Sequence, residues 1–146
     1  MFSLGQSDYF ANLQFSGIQL LIPQGDIFSL EPSIDIVGIK EKNSIGQMQQ
    51  ADIKWFLYAL SPELDVLTEQ PEQYHIAVLL KNTESACGLL CEQISTVSSK
   101  ELIIQNIPDA MYSKHSPLLA LAIYQNDIRF VSSAARLNSH FNSEEL

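Results

Sequence analysis

At 146 residues the chain has room for one domain with a real core, since domains run about 100 to 200 residues. Its 46% hydrophobic and 17% charged residues exclude a disordered chain, and its longest apolar runs, 76–80 and 118–123, are far shorter than the roughly 18 residues of a membrane span. Eight Lys plus Arg against seventeen Asp plus Glu give a net charge of −9, which repels phosphate backbones, so no nucleic-acid partner is expected; solubility or a basic protein partner accounts for the acidity.

The opening MFSLGQSDYF lacks the basic region and apolar core of a secretory signal. A cytoplasmic protein without membrane insertion is therefore expected. Residues 1–10 are polar or mixed and read as a loose arm. In NLQFSGIQLLIP, Leu13 and Phe15 alternate with polar residues, Ser16-Gly17 supplies a turn, and Ile18, Leu20 and Ile22 alternate again. That pattern predicts a hairpin, stopped by Pro23, which has no N–H for a ladder. A short strand follows over 27–30.

EPSIDIVGIKEKNSIGQMQQ reads as turn-rich, punctuated by Gly38, Asn43 and Gly46. DIKWFLYAL is a dense run of β-branched and aromatic types, read as a buried strand over 53–60. In SPELDVL, Ser61 suits an N-cap and Pro62 the first helical position, so a single helical turn is predicted. The polar TEQPEQ marks the boundary between two halves.

The second half holds YHIAVLL, the turn KNTESA and then CGLLCEQISTV. Their apolar residues occupy both faces, as in a small barrel or a covered sheet. ELIIQNIP is a further short strand. SPLLALAIYQNDIRFV reads as strand, Asn126-Asp127 turn and strand. In SSAARLNSHF, Ser132 or Ser133 caps a short helix, and NSEEL is a solvated tail. With about eight to ten short strands and little helix, the chain is mainly β.

Both cysteines, Cys87 and Cys91, lie in the CGLLC run. On a strand they share a face about 13 Å apart at ~3.3 Å per residue, beyond the roughly 7 Å that a disulfide spans. Their spacing is also not the Cys-x-x-Cys of redox and zinc motifs. They read as core thiols. His75, His115 and His140 lack metal-ligand spacing. Asp26, Glu31 and Asp35 form a modest acidic cluster with no marked acid–base pair. The lone Trp55 sits in an apolar run, where core packing is the reading over ligand stacking. No Gly-x-Ser-x-Gly elbow, phosphate loop or His-Glu-x-x-His helix is present, and no cofactor is expected.

The order and spacing of these pieces resemble the CheW-like family of chemotaxis coupling modules, over about residues 12–138. LQFSGIQLLIPQGDIFSL is similar to the family's opening hairpin and the short strand after it. Gly46 stands fourteen residues before Leu60, the spacing of a family glycine before its "pVidL"-type strand, here FLYAL. IAVLLKNTESACGLLCEQISTV resembles the hairpin that ends in "fGLlVDeV". Gly88, Leu89 and Leu90 hold its Gly-Leu-Leu/Val places, Cys91 a core valine place and Glu92 the acidic one. LLALAIYQNDIRFVSSAARL is similar to the closing hairpin and terminal helix.

The resemblance implies a single domain over 1–146. Two small five-stranded SH3-like β-barrel lobes would pack together, over roughly 12–70 and 71–138, with a short C-terminal helix and a tail over 139–146. It implies a non-catalytic adaptor that bridges a histidine kinase's regulatory domain and a receptor-like protein, or pairs with a CheW-like relative. The chain departs from the family where Asn-x-Arg-Gly is usual. Here it reads QQAD, with Ala51 at the Arg place, Asp52 at the Gly place and Phe56 at the Pro place. The family Arg is associated with receptor contact, so Gly46, Ala51 and Asp52 are the candidate partner-binding positions. A divergent adaptor, as in systems controlling type IV pili and twitching, fits better than a standard coupling protein. The competing reading is a small β-barrel enzyme or ligand-binding domain. It predicts convergent polar side chains at one barrel end with shifted titrating groups, where an adaptor predicts an apolar surface patch.

Overall fold

The computed structural model describes residues 8–33, 36–38, 40–41, 43–81, 83–108 and 116–143. Among them the chain forms β1 (Tyr9–Phe15), β2 (Ile18–Pro23), β3 (Ile27–Pro32), β4 (Gly46–Gln50), β5 (Ile53–Tyr58) and β6 (Ile76–Leu80). These are followed by β7 (Cys87–Cys91), β8 (Gln93–Ser98), β9 (Ile103–Asn106), β10 (Ala120–Tyr124), β11 (Asp127–Val131) and the helix α1 (Ala134–Ser143). The fold is mainly β: two curled sheets and one short C-terminal helix.

One sheet has five strands, in the order β3-β6-β7-β5-β4, and the other has six, in the order β8-β1-β2-β11-β10-β9. The sheets are not successive in the chain. β1 and β2 join the sheet made by the last four strands, and β2 runs parallel to β11 through Phe130↔Leu20 and Val131↔Leu21. The expected division near residue 70 therefore does not separate them. Nor do the Trp55 and Cys87 strands lie in different lobes, as the halves implied; β5 and β7 are parallel neighbours, paired through Phe56↔Cys87.

The cause is a break inside CGLLCEQISTV. Cys87–Cys91 is buried on both faces, whereas Gln93–Ser98 is largely exposed. Between them Glu92 leaves one sheet for the other. Its N–H donates to Gln14 O at 2.8 Å, and its carboxylate accepts from the Ser16 N–H at the tip of the first hairpin.

Three two-residue hairpin turns have both central residues at positive φ: Ser16-Gly17 (48° and 81°), Ala51-Asp52 (54° and 60°) and Gln125-Asn126 (51° and 69°). Such turns match the right-handed twist of the strands they join. The last sits one residue earlier than the expected Asn126-Asp127, because Asp127 already pairs with Tyr124. The first hairpin also begins earlier than the expected arm: Tyr9 and Phe10 belong to β1, and Phe10 is buried. Residues 1–7 of that arm lie outside the described residues.

Alternation along β1 and β2 divides the interior. Leu13, paired with Leu20, faces the main core between the sheets, which α1 closes with Ala134, Leu137 and Phe141. Phe10 and Leu21 face the other way, into a smaller core with Val97, Ala120, Ala122 and Val131 inside the six-stranded sheet. Burying this apolar area, at about 25 cal/mol per Å², is the main force holding the sheets in place.

Three further expectations changed. GQMQQ, read as turn-rich, forms β4, held as an extended pair to β5 from Gly46↔Leu57 to Gln50↔Ile53. Ser61 does accept backbone hydrogen bonds from Glu63 and Asp65, yet no helical turn follows, because Leu64 adopts φ 68° and Leu60 bridges to Val66. Finally α1 begins as expected, with Ser133 Oγ capping Arg136 N at 3.1 Å, but runs on through the tail expected from 139. His140 and Phe141 are buried, so that stretch is core; residues 144–146 lie outside the described residues.

Candidate functional site

Gly46, Ala51 and Asp52 all belong to the β4–β5 hairpin, at opposite ends of it. Gly46 is buried, and a Cβ there would stand 2.6 Å from Ile36 Cγ2 and 3.0 Å from Val37 O. The bare glycine lets the Val37 backbone bridge to Gln47, through N–H···O bonds of 2.7 and 2.8 Å. Ala51 and Asp52 form the exposed tip. Trp55 fastens that tip from within: buried, it donates from Nε1 to Gln50 O at 3.0 Å. Its ring packs against Phe28 of β3 with centroids 5.0 Å apart. The tryptophan is thus a packing residue with a polar handle.

The other candidate chemistries dissolve into structure. Cys87 and Cys91 are buried, free thiols on β7. Burial pushes each up to about 12 from the ordinary 9, with a Thr83 hydrogen bond opposing this at Cys87 and the Glu92 charge adding to it at Cys91. Neither is a reactive thiolate. The Tyr74 phenol is also raised, chiefly by burial, against a hydrogen bond from Ser16 and with the Glu92 charge. It donates to Leu60 O at 3.0 Å and lies 2.6 Å from Ser16 Oγ. Asp26 of the acidic cluster accepts from the Ala134 N–H at the start of α1, at 2.9 Å, where the helix end favours a negative charge. Glu31 sits on β3, and Asp35 and His115 lie outside the described residues. His140 Nε2 contacts Leu64 O at 2.6 Å, and His75 is exposed. Among the described residues no three metal-ligating side chains converge, and no helix is long and apolar enough to cross a membrane.

A surface that sequence reading missed lies where the two sheets meet. Ala11, Gln24, Ile27, Leu30, Ile94, Ser95 and Thr96 line a groove of about 420 Å³. One wall is β3, an outer strand of the five-stranded sheet, and the other is β8, an outer strand of the six-stranded sheet. The lining carries no charge. Leu30 is 48% exposed, and Phe28 beside it in β3 is 44% exposed, an unusual concentration of large apolar side chains in water. The sequence offered one signal, apolar residues on both faces of the short IFSLEP run, but not that β8 would lie opposite. A second cleft of about 450 Å³ between Lys40 and Thr68 is mixed in character, and Lys40 Nζ there donates to Thr68 O at 2.9 Å. The three groups with raised pKa lie in neither cleft.

Among solved structures the fold is similar to that of the scaffolding protein TtCheW from Thermoanaerobacter tengcongensis. The TM-score is 0.68 at 8% identity, and the match covers 90% of this chain and 92% of that one. No family model and no curated protein matches the sequence. At that identity the likeness shows the fold alone: a CheW-like arrangement of two β lobes.

Proposed function

We propose that this chain is a non-catalytic protein–protein adaptor of a signalling assembly, working in the cytoplasm in a chemotaxis-like system or one controlling type IV pili and twitching. The observation that carries the reading is the uncharged groove between β3 and β8, with Ile27, Leu30 and Ile94 in its walls. Apolar anchors in a concave, uncharged surface suit a protein segment. The similarity of the fold to a scaffolding protein supports the same class of function. The partners we assign are a histidine kinase regulatory domain, a receptor-like protein or a CheW-like relative.

The β4–β5 tip is the second proposed contact, with Gly46 as its positioning residue. Ala51 offers no cation and Asp52 carries a negative charge, so ordinary receptor coupling through this tip is weak in this chain, while kinase-side binding at the groove is retained. The test is a titration of the chain against an isolated kinase regulatory domain and a receptor tip, at low and high salt. Kinase-side binding should weaken about tenfold or more in Leu30→Asp, which puts a charge at an apolar anchor. It should persist in Ala51→Arg, with receptor affinity unchanged or partly gained. Binding to neither class, with saturable turnover of a small molecule, ends the adaptor reading.

A further inference from the structure

A second apolar surface lies on the far side of the six-stranded sheet and shares no residue with the groove. β9 is the outer strand there, paired with β10 on one side and, among the described residues, with nothing on the other. All four of its residues are exposed. The register aligns Ile103 with Ile123 and Ile123 with Ile128, so three isoleucines form one row across β9, β10 and β11 on a single face. Ile103 is 61% and Ile128 69% exposed. The neighbouring row on that face is Gln105, Leu121 and Phe130, and Phe130 packs on the main core. The face is thus a continuation of the inter-sheet surface that runs out uncovered.

Of the other three outer strands, β8 forms a wall of the groove and two are guarded. β3 contains Glu31, ends in Pro32 and shifts register between Ile27 and Ser29. β4 is covered by the Val37 bridge. The sequence of β9, IIQN, has no charge, no proline and no bulge, the usual devices against edge pairing. Backbone groups without a partner among the described residues, beside an apolar row, are what a strand-adding partner uses, with main-chain bonds for affinity and alternate side chains for specificity.

We propose that β9 is a strand-addition site for an extended, β-branched segment of a different protein, flanked by basic residues. The segment pairs with this edge and sets one apolar side chain beside Ile103, lengthening the isoleucine row. Charge argues for this occupant over a second copy: two chains of net charge −9 repel, whereas lysine or arginine flanks are attracted. Size argues the same way. Four residues at ~3.4 Å each give an edge of about 14 Å, too short to anchor a stable homodimer, whose interface buries on the order of 2,000 Å² or more.

The probe is a short synthetic peptide of alternating valine and threonine with lysine at both ends, titrated into the full chain. Binding should slow hydrogen exchange at the amides of Ile103–Asn106. It should weaken about tenfold or more in Ile103→Glu; the site is exposed, and an unchanged melting curve checks that the variant folds. Backbone N-methylation of the peptide at alternate residues, which removes donors and spares the side chains, should abolish binding in one of its two registers. Leu30→Asp should leave peptide affinity unchanged, which separates this site from the groove. The proposal is overturned if the lysine-flanked peptide does not bind, if both N-methylated registers bind as well as the parent, or if sedimentation shows a dimer that Ile103→Glu dissolves.

Discussion

The ring of Phe141 stacks on that of Tyr58, with centroids 4.1 Å apart and planes 9° from parallel. The contact joins the C-terminal helix to β5, an inner strand of the five-stranded sheet, although the strand that leads into the helix, β11, belongs to the six-stranded one. Alongside it, Asn138 Oδ1 accepts from Ser85 Oγ at 2.7 Å, and Asp26 accepts from the first turn. The helix thus clasps one sheet to the other.

Phe141→Ala should therefore behave as a core truncation. Both rings are essentially inaccessible to solvent, and emptying such a site costs about 3–5 kcal/mol. Chemical denaturation should show the midpoint fall with a single transition. A loss below about 1 kcal/mol would mean that the helix end packs only loosely.

Alkaline pH should loosen the fold in a defined window. In the unfolded chain the thiols of Cys87 and Cys91 ionise at their ordinary 9, and in the folded protein burial holds them protonated up to about 12. Folded pKa values above unfolded ones mean that this stability is fully present below pH 9 and lost as pH rises toward about 12. The Tyr74 phenol, raised from its ordinary 10, adds a loss that begins one unit later. The denaturation midpoint should stay flat up to about pH 9 and then fall, with thiolate absorbance appearing together with unfolding. A Cys87→Ala/Cys91→Ala double variant should fall less steeply. Thiolate absorbance near pH 9 in the native protein would show the thiols to be accessible.

Cys91 separates size from charge. It is fully buried on the strand that pairs with both β5 and β6. Cys91→Ala removes one sulfur and should cost on the order of 1 kcal/mol, toward the small end of core truncations. Cys91→Asp places an unpaired carboxylate in the same space and should be much worse, with the chain unfolded or insoluble. An unchanged melting temperature for the Asp variant is the contrary result. Partner binding should survive the Ala change, since Cys91 lines none of the surfaces described.

What the sequence made legible follows from periodicity. Strict alternation located the first hairpin, the turn inside SPLLALAIYQNDIRFV located β10 and β11, and the all-apolar runs located β6 and β7. β4 was hidden because GQMQQ carries no β-branched residue; tertiary pairing with β5 makes it a strand, as β-propensity often yields to context. The exchange of strands between sheets was hidden too. Glu92 reads as one acidic residue in a strand, and its role depends on Gln14 and Ser16, far away in the chain. The groove and the β9 face share that limit, since exposure of Leu30 or Ile128 is set by what packs beside it and not by its own neighbours in sequence.

The Ala51-Asp52 tip offers the sharpest separation of stability from binding. Both residues hold positive φ, 54° and 60°, where an L side chain costs about 1 kcal/mol or more per residue and Asn-Gly is the favoured pair. Ala51→Asn with Asp52→Gly should keep the hairpin, still fastened by Trp55 to Gln50 O, and remove part of that strain. A gain of about 1 kcal/mol is expected, or a melting temperature higher by about 2–5 °C. Ala51→Arg should bring no such gain, because arginine has no special ease at positive φ. The two variants will therefore diverge: the Asn-Gly pair changes stability and leaves kinase-side affinity untouched, while Ala51→Arg leaves receptor affinity unchanged or partly gained without stabilising the fold. A melting temperature unmoved or lowered by the Asn-Gly pair would show that the tip is not strained in solution.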